Sequence, residues 1–366
     1  MFGKIAASVH WLPFLVADRF KKKLRPIRPK HVYLCICDHF EPYWGQATST
    51  QARARLQAWI DGWPRLAERH RDAHGRPLRY SFFYPEEEYR HDDLEQLAGL
   101  CRAGYGEVEI HLHHDKDTSA NLRRTLVDYR NRLHQEHGLL SIDQRSGNIV
   151  YGFIHGNWAL DNSRPDGRWC GVNDEISILQ QTGCYADFTM PSAPSPTQTR
   201  QLNSIYAAVD DPERPKSHDT GEPLRAGHCP EGLLMIQGPL LLSFRRRKAL
   251  VLPRIENGEL TAANPVTTKR CADWIDAGVH VQGAADHLFV KLHAHGCQED
   301  FQSWFFGGGG DCLFESLQET TDQLGAQLHF VSARELVNQV LVLAGNEQSP
   351  LLRSDYPLQM AGAAVG

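Results

Sequence analysis

Two hydrophobic patterns alternate along this sequence, and their alternation limits the fold more than any other feature. Short runs rich in β-branched and aromatic residues, such as "HVYLCICD" at residues 31–38, are typical of strands buried on both faces. Amphipathic stretches stand between them, such as the one at residues 118–138, which opens on a capping Thr118 or Ser119 and closes on Gly138. Because strands that alternate with helices build parallel sheets, the sequence predicts an α/β fold, either a closed barrel or an open doubly wound sheet.

The length and composition fit one folded domain. The chain has 366 residues, of which 41% are hydrophobic and 23% are charged, and this balance argues against bulk disorder. Its net charge of −5 gives no electrostatic basis for binding nucleic acid, whose phosphates must be neutralised. An odd number of cysteines, nine, suits reduced thiols better than a disulfide framework. We therefore expect a single-domain cytoplasmic protein with no nucleic-acid partner.

Residues 1–30 form a separate N-terminal segment, in which an apolar patch at residues 9–16 precedes a basic run. The patch is interrupted by His10 and Pro13, and it is far shorter than the ~20 residues that span a bilayer. The favoured interpretation is a helix that packs on the domain with its lysines in solvent. The alternative is peripheral contact of its aromatic and basic side chains with the anionic inner face of a membrane.

Ionisable side chains follow several of the predicted strands at the points where the strands end. In a parallel barrel these carboxyl ends form one rim, where active sites lie. Residues far apart in the sequence are therefore expected to converge there. The side chains concerned are Asp38, His39 and Glu41 after the first strand, the cluster from His111 to Asp115 after the third, His155 and Asn157 after the fourth, Asp187 after the fifth, and His293 and His295 after a later one.

The densest group of these side chains lies in "EIHLHHD" at residues 109–115. On a strand His111 and His113 point to one side and His114 to the other, so only part of the cluster can face a common centre. Two imidazoles and one carboxylate form a catalytic metal site that leaves positions open for water. A nearby aspartate such as Asp38 could accept a proton there. The sequence therefore predicts a metal or catalytic site.

A later strand ends in "KLHAHG", which places His293 and His295 on one face. An imidazole ordinarily titrates near pH ~6.5, so one of the two histidines could serve as a general acid. Which of the two does so stays open.

The tetraglycine at residues 307–310 is a further unusual feature. It precedes a helix but follows "WFF" rather than a clear strand, so it does not match the phosphate-binding loops that come directly after a strand. We expect it to be a flexible loop near the site.

The order of these features resembles the polysaccharide deacetylase superfamily, the NodB-type carbohydrate esterases. The matching features are an aspartate at the end of strand one, "EVEIH" leading into histidines, "NDEISILQQTGCYAD", a strand ending in "LH" and a closing "FVSARELV". The resemblance covers residues 31–343 and implies an irregular (β/α)7-type barrel in one domain, followed by a tail at residues 344–366. It also implies a divalent metal, zinc in many members, and hydrolysis of acetyl groups from N-acetylated sugars, as in exopolysaccharide biosynthesis.

The resemblance also implies metal ligands. Where the family has two adjacent aspartates, this sequence has Asp38, implied as the general base, and His39, implied as a metal ligand. Where the family has two metal-binding histidines four residues apart, this sequence has His111 and then Asp115. The implied ligand set is His39, His111 and Asp115, with His113 or His114 as the alternative third ligand.

The remaining motifs imply roles in catalysis and substrate binding. The fourth motif matches Asp187 in "CYADF", implied to orient the groups around the base, and the fifth matches His293, implied as the general acid. The third motif of the family brings arginine and proline to the groove, but this sequence has "FIHGNWAL" there. The side chains implied to line the substrate groove are His155, Asn157, Trp158 and the additional His295.

The expected function is therefore that of a metal-dependent carbohydrate N-deacetylase, an amide hydrolase with a carbohydrate substrate. Two alternatives stay open. Another metal-dependent hydrolase on the same barrel would keep the ligands and change the pocket, whereas an inactive carbohydrate-binding homologue would keep the barrel alone. Release of acetate distinguishes the first alternative, and metal content together with turnover distinguishes the second.

Overall fold

A computed structural model describes residues 10–24, 26–143, 146–248 and 252–345 of the chain. Its helices are α1 Leu12–Leu24, α2 Ser49–Arg69, α3 His91–Arg102, α4 Ser119–His137, α5 Glu175–Thr182, α6 Thr268–Ala277, α7 Glu299–Trp304, α8 Gly310–Leu324 and α9 Ala333–Leu343. Its strands are β1 His31–His39, β2 Tyr80–Pro85, β3 Gly106–Leu112, β4 Ser141–Ile142, β5 Ile149–His155, β6 Cys184–Asp187, β7 Ile205–Ala208, β8 Glu222–Pro223, β9 Leu233–Ile236, β10 Leu241–Lys248, β11 Leu252–Glu256, β12 His287–Ala294 and β13 Gln327–Phe330.

The strands build one large, mostly parallel sheet and a small separate ribbon. Along the large sheet the order is β12, β1, β2, β3, β5, β6, β9, β7, β8. Every neighbouring pair from β12 to β9 is parallel, whereas β7 and β8 continue the sheet in antiparallel pairs. The ribbon consists of β10 and β11. The predicted α/β class with a parallel sheet is therefore confirmed.

The described strands do not close into a hydrogen-bonded ring, because no backbone ladder among them joins β12 to β9 or β8. The free side of β12 is instead covered in part by residues 258–260. The amide of Leu260 donates to the carbonyl of His293 at 2.8 Å, and the amide of His293 donates to the carbonyl of Gly258 at 3.2 Å. The sheet that the described residues form is therefore open, and it does not show the closed barrel that the resemblance implies.

Strand β1 lies inside the sheet and sets the position of the site. It pairs in parallel with β12 from His31, opposite His287, to Asp38, opposite Ala294. On its other side the first half pairs with β13 and the second half pairs with β2. The carboxyl ends of β12, β1, β2 and β3 consequently lie side by side, as expected for parallel strands.

The two faces of β1 contact two different apolar cores. Leu34 and Ile36 belong to a core that includes Trp59 of α2. Cys35 and Cys37 belong to a second core that includes the apolar residues of α9. Because side chains alternate along a strand, the two polar residues that end β1 point to opposite faces of the sheet.

The N-terminal helix α1 packs on the body of the protein. Trp11 and Leu15 are buried together with Ala193 and Leu240. No helix in the described part of the chain is long and apolar enough to cross a membrane. Contact of this segment with a membrane surface stays a prediction, and residues 1–9 of the segment lie outside the described residues, as do residues 346–366 of the predicted tail.

The tetraglycine at residues 307–310 belongs to a helical segment. Helix α7 is followed by a π-helical turn at Phe305–Gly309, with non-helical dihedral angles at Gly307 and Gly308, and then by α8. The start of α8 lies close to α2, since a side chain at Gly310 would overlap Leu66. The expectation of a flexible loop is therefore wrong, because the segment belongs to a helical stretch that packs on α2.

Candidate metal centres and the surrounding site

Three side chains from two strand ends form a compact group that could hold a metal ion. They are His39 at the end of β1, Glu41 two residues later, and His111 near the end of β3. One ligand atom from each side chain lies within 4.8 Å of the others, and all three residues are buried. We refer to this group as the first centre. It combines two imidazoles with one carboxylate, and the carboxylate is that of Glu41.

The hydrogen bonds of His111 show that the first centre suits a cation. Its Nδ1 lies 2.8 Å from the carbonyl oxygen of Ile154, and because a carbonyl only accepts, Nδ1 must carry the hydrogen. The opposite nitrogen, Nε2, lies 3.1 Å from Oε1 of Glu41. When the imidazole is charged, Nε2 donates a hydrogen bond to this carboxylate; when the imidazole is neutral, two lone pairs face each other across that gap. A divalent metal between them relieves the repulsion, and imidazole nitrogen with carboxylate oxygen is a ligand set that zinc accepts.

The imidazole of His39 is in the neutral form that metal binding requires. Burial lowers the pKa of His39 well below its usual range, and the nearby rings of His295, His111 and His293 lower it further. The first centre therefore offers a neutral nitrogen ligand from β1.

His113 lies beside the first centre and bridges two carboxylates. Its Nε2 lies 3.2 Å from Oε1 of Glu41, and its Nδ1 makes a short hydrogen bond to Glu87. Burial opposes the charged form, but these two carboxylates outweigh burial and raise the pKa of His113 to about 10. For Glu41, burial favours the neutral acid, but hydrogen bonds with His111 and His113 hold its pKa well below the usual range. His113 thus orients the carboxylate of Glu41.

Three further rings surround the first centre. The ring of His295 stacks on that of His39, with 4.8 Å between centroids. The indole of Trp158 lies 5.6 Å from His39 and 5.9 Å from His295, and Trp158 and His295 are both partly exposed. His293 is buried, with its ring 6.5 Å from His39. Burial lowers the pKa of His293 and that of His295, so both imidazoles are neutral at neutral pH.

The segment after β5 has an unusual backbone. Asn157 and Trp158 each have a φ of 54°, in the left-handed region that few residues other than glycine adopt. Such conformations are typical of segments that position functional side chains. The ring of His113 fills the space beside Gly156, where any side chain would overlap it. Of the two predicted groove residues Asn157 and Trp158, Trp158 is the one whose side chain contacts the rings around the first centre.

Asp38 lies next to His39 in the sequence but on the other face of β1. Its Oδ2 accepts a hydrogen bond of 3.0 Å from the hydroxyl of Tyr80, and its Oδ1 accepts one of 2.7 Å from the amide of Gly296. Burial raises the pKa of Asp38 to about 7, even though both bonds act in the opposite direction. The structure therefore places Asp38 where it anchors the backbone that follows His295, and it does not bring its carboxylate to the metal ligands.

Asp187 ends β6 and accepts two hydrogen bonds from Thr189. The amide of Thr189 donates at 3.0 Å and its hydroxyl donates at 2.7 Å. The same hydroxyl oxygen accepts from the amide of His155 at 2.9 Å. Asp187 thereby ties the end of β6 to the end of β5, and no hydrogen bond among the described residues joins it to the first centre.

Replacing Asp187 with asparagine should remove part of the pH dependence of stability. Burial raises the pKa of Asp187 from 3.8 to about 7, so the folded protein binds this proton more tightly than the unfolded chain does. The resulting stabilisation is complete below pH ~4 and is lost as the pH rises through ~7. We expect chemical denaturation to show a free energy of unfolding that falls more steeply between about pH 4 and pH 8 in the wild type than in Asp187→Asn. Equal slopes would contradict this account.

A second group of four side chains lies close to the first. It consists of His114 after β3, His155 at the end of β5, Cys170 in the following loop and Glu175 at the start of α5, with ligand atoms within 4.8 Å of one another. Oε1 of Glu175 lies 3.3 Å from Nε2 of His114 and 3.6 Å from Nε2 of His155. We refer to this group as the second centre. The structure thus brings His114 and His155 together, apart from His39 and His111.

Asp115 joins neither centre. It is exposed, and its Oδ1 accepts a hydrogen bond of 2.6 Å from the amide of Trp169. The strand has already ended at Leu112, and the chain turns through Lys116, whose φ is 52°. Because of this turn the carboxylate of Asp115 points away from the implied partners, and Glu41 takes its place beside His39 and His111.

A third group, formed by His91, Glu136 and His137, also has close ligand atoms. His91 and Glu136 are exposed on helices α3 and α4. Exposed groups of this kind are common without a bound ion.

Several side chains that belong to the two centres, or that contact them, were not assigned a role from the sequence. Glu41 was expected at the rim from its strand-end position but was given no role, and the same signal could have indicated Glu87, which "PEEEY" places after the second strand. Cys170 and Glu175 come from a loop and a helix start, where no strand-end signal exists. Their contribution depends on tertiary packing.

No protein-family model matches this chain, and no curated protein matches it. Among solved structures the chain is similar to an alpha-mannosidase from Enterococcus faecalis V583, at 11% identity and a TM-score of 0.42, over 88% of this chain and 30% of that one. It is also similar to a 4-alpha-glucanotransferase from Thermococcus litoralis, at 10% identity and a TM-score of 0.41, over 86% of this chain and 40% of that one. The chain spans less than half of either protein, and likenesses this distant say nothing about its reaction.

Proposed function

We propose that this chain is a metal-dependent hydrolase that removes acetyl groups from an N-acetylated sugar. The observation that carries the proposal is the first centre, where Nε2 of His111 faces the carboxylate of Glu41 beside a neutral His39. A zinc-type cation held there supplies Lewis acidity, which polarises a carbonyl and makes a water molecule acidic near pH ~7. The resemblance of the strand-end motifs to N-deacetylases favours an acetamide as the group attacked.

Proton transfer is assigned in this proposal to His293, near the end of β12, and to His295, which directly follows the strand. His295 is neutral, partly exposed and stacked on His39, so it can accept a proton from the attacking water. It then returns this proton to the departing amine, which balances the reaction. His293 is buried farther from His39 and stays the alternative proton donor that the resemblance implies.

Trp158 is proposed to hold the sugar ring. Its partly exposed indole lies 5.9 Å from the ring of His295, and a flat aromatic face packs well against the apolar face of a sugar. A sugar stacked there has its acetamide near the first centre. The products are acetate and a sugar with a free amine.

The two possible roles of Asp38 predict different outcomes for Asp38→Asn. Loss of a general base would lower turnover by ~10²- to 10⁴-fold. Asparagine can instead keep both bonds of a positioning residue, because its amide oxygen accepts from the amide of Gly296 and its amino group donates to the oxygen of Tyr80. We expect Asp38→Asn to keep kcat within about 10-fold of the wild type, a barrier change of about 1.4 kcal/mol. Asp38→Ala, which loses both bonds, should lose more.

Acetate release tests the proposed function directly. The full chain is loaded with Zn²⁺ and incubated with N-acetylglucosamine oligomers, and both acetate and new reducing ends are quantified. His295→Gln should lower kcat by ~10²- to 10⁴-fold while the variant retains its metal. The matched control His228→Gln changes an exposed histidine that pairs with Glu222 at 3.1 Å, and it should behave as the wild type does.

Two other results of this assay would contradict N-deacetylation and support one of the alternative functions. New reducing ends without acetate would indicate hydrolysis of the glycosidic bond. Oligomers that bind without forming either product would indicate the carbohydrate-binding homologue.

A further inference from the structure

We propose that the second centre is a structural zinc site. Its ligands would be Nε2 of His114, Nε2 of His155, the thiolate of Cys170 and the carboxylate of Glu175. Four protein ligands fill the coordination sphere of a tetrahedral ion and leave no position for a substrate, which is the pattern of structural rather than catalytic zinc. This inference does not depend on the proposed function of the first centre.

The separations between the ligand atoms match a tetrahedral site. Zinc bonds of ~2.0–2.3 Å place neighbouring ligand atoms ~3.3–3.8 Å apart. Oε1 of Glu175 lies 3.3 Å from Nε2 of His114 and 3.6 Å from Nε2 of His155, and its Oε2 lies 3.4 Å from Sγ of Cys170. All four ligand atoms lie within 4.8 Å of one another. The ligand atoms are therefore already near the positions that an ion needs.

The hydrogen bonding of His155 supplies an independent reason for a cation. Its Nδ1 lies 2.6 Å from the carbonyl oxygen of Gly156, so Nδ1 carries the hydrogen and Nε2 has a bare lone pair. The residue is completely buried, and Nε2 has no hydrogen-bond partner among the described residues. A buried polar atom without a partner is costly and uncommon. Nε2 lies 3.6 Å from Oε1 of Glu175, and this carboxylate cannot donate unless it is protonated.

The surroundings of Cys170 and His114 also suit a zinc ion. The amides of Asn162 and Val172 point at Sγ of Cys170 from 3.3 Å and 3.5 Å, and such donors stabilise a thiolate. Asp117 lies 3.2 Å from Nδ1 of His114, which has no hydrogen-bond partner among the described residues, and its carboxylate adds negative charge beside the proposed cation. One thiolate and one carboxylate neutralise a divalent cation, so the complete site would bury no net charge.

The bound ion would connect three parts of the chain that are not adjacent in the sequence. His114 follows β3, His155 ends β5, and Cys170 and Glu175 come from the loop and helix that follow. A bound ion fixes the loop between β5 and α5 against the end of β3. Its predicted effect is on stability and on the placement of residues 155–158, which include Trp158 of the proposed sugar site.

Cobalt substitution distinguishes the second centre from the first without any variant. The full chain is stripped with a chelator and reloaded with Co²⁺. A cysteine thiolate bound to Co²⁺ gives a charge-transfer band in the near ultraviolet, which a centre of histidine and glutamate alone cannot give. We expect this band in the wild type, together with the visible absorption of tetrahedral cobalt. A wild-type spectrum without a thiolate band would overturn the proposal.

Variants then assign the band to its ligands. Cys170→Ser should lose the thiolate band and one equivalent of bound Zn²⁺, whereas Cys229→Ser, which changes an exposed cysteine, should keep both. His111→Ala should keep the thiolate band even though it loses the first centre. Persistence of the band in Cys170→Ser would overturn the assignment. Failure of acetate release with an intact band would contradict the proposed function alone.

Discussion

Replacing His111 with alanine should abolish metal retention at the first centre and, with it, hydrolysis. His111 supplies one of three ligand side chains, and its orientation is fixed by the bond from Nδ1 to the carbonyl of Ile154. Loss of a group that merely orients a ligand weakens metal binding by ~10- to 100-fold, so loss of the ligand itself should cost at least that much. Elemental analysis of the purified variant after dialysis, together with acetate release, measures the effect.

Two comparisons make this prediction specific. His228→Ala removes an exposed imidazole and should change neither metal content nor turnover. His111→Ala should still hold zinc at the second centre, so its metal content should fall by one equivalent rather than to zero. A His111→Ala variant with the metal content and turnover of the wild type would show that the first centre is not the metal site.

Replacing Glu256 with alanine should destabilise the fold by ~3–5 kcal/mol, because it leaves a buried arginine without the carboxylate that balances its charge. The carboxylate of Glu256 is buried and accepts hydrogen bonds from Arg270 at 2.8 Å and 3.0 Å and from the indole of Trp274 at 2.9 Å. Arg270 is completely buried as well. Burial favours the neutral acid, but the bonds from Arg270 and Trp274 outweigh it and lower the pKa of Glu256. Denaturant titration of the full chain measures the loss.

The same ion pair supports the site. Arg270 also donates to the carbonyl of Glu259 at 2.6 Å, in the segment that pairs with the backbone of His293. Glu256→Ala should therefore disturb the end of β12 in addition to lowering stability. The control Glu222→Ala removes a carboxylate from an exposed pair with His228, and it should cost less than ~1 kcal/mol. A similarly small loss for Glu256→Ala would mean that the buried pair is not a main stabilising contact.

The sequence was sufficient to predict the parallel α/β arrangement, and it indicated the strand ends at which His39 and His111 lie together. Parallel strands place their carboxyl ends at one edge, so histidines such as His39 and His111, far apart in the sequence, could be expected to meet there. The metal ligands and substrate contacts drawn from the resemblance are not tested by the fold. Their roles stay proposals.

The details of the site that the sequence did not indicate depend on local geometry. Alternation along β1 sends Asp38 to the face that packs on α2 and His39 to the opposite face, although both are polar and adjacent. The turn after β3 sends Asp115 into solvent. The partnership of Cys170 with Glu175 depends on how a loop folds back over strand ends, and no periodic pattern encodes that contact.

His113 and His114 are neighbours in the chain, yet the first contacts Glu41 and the second contacts Glu175. The peptide unit that joins His113 and His114 thus lies between the two proposed ion sites. If occupancy of one site tilts this unit, the affinity of the other site changes, and thermodynamic reciprocity requires that the influence be equal in both directions. Zinc titrations of the stripped protein would then show two binding events whose strengths are not independent.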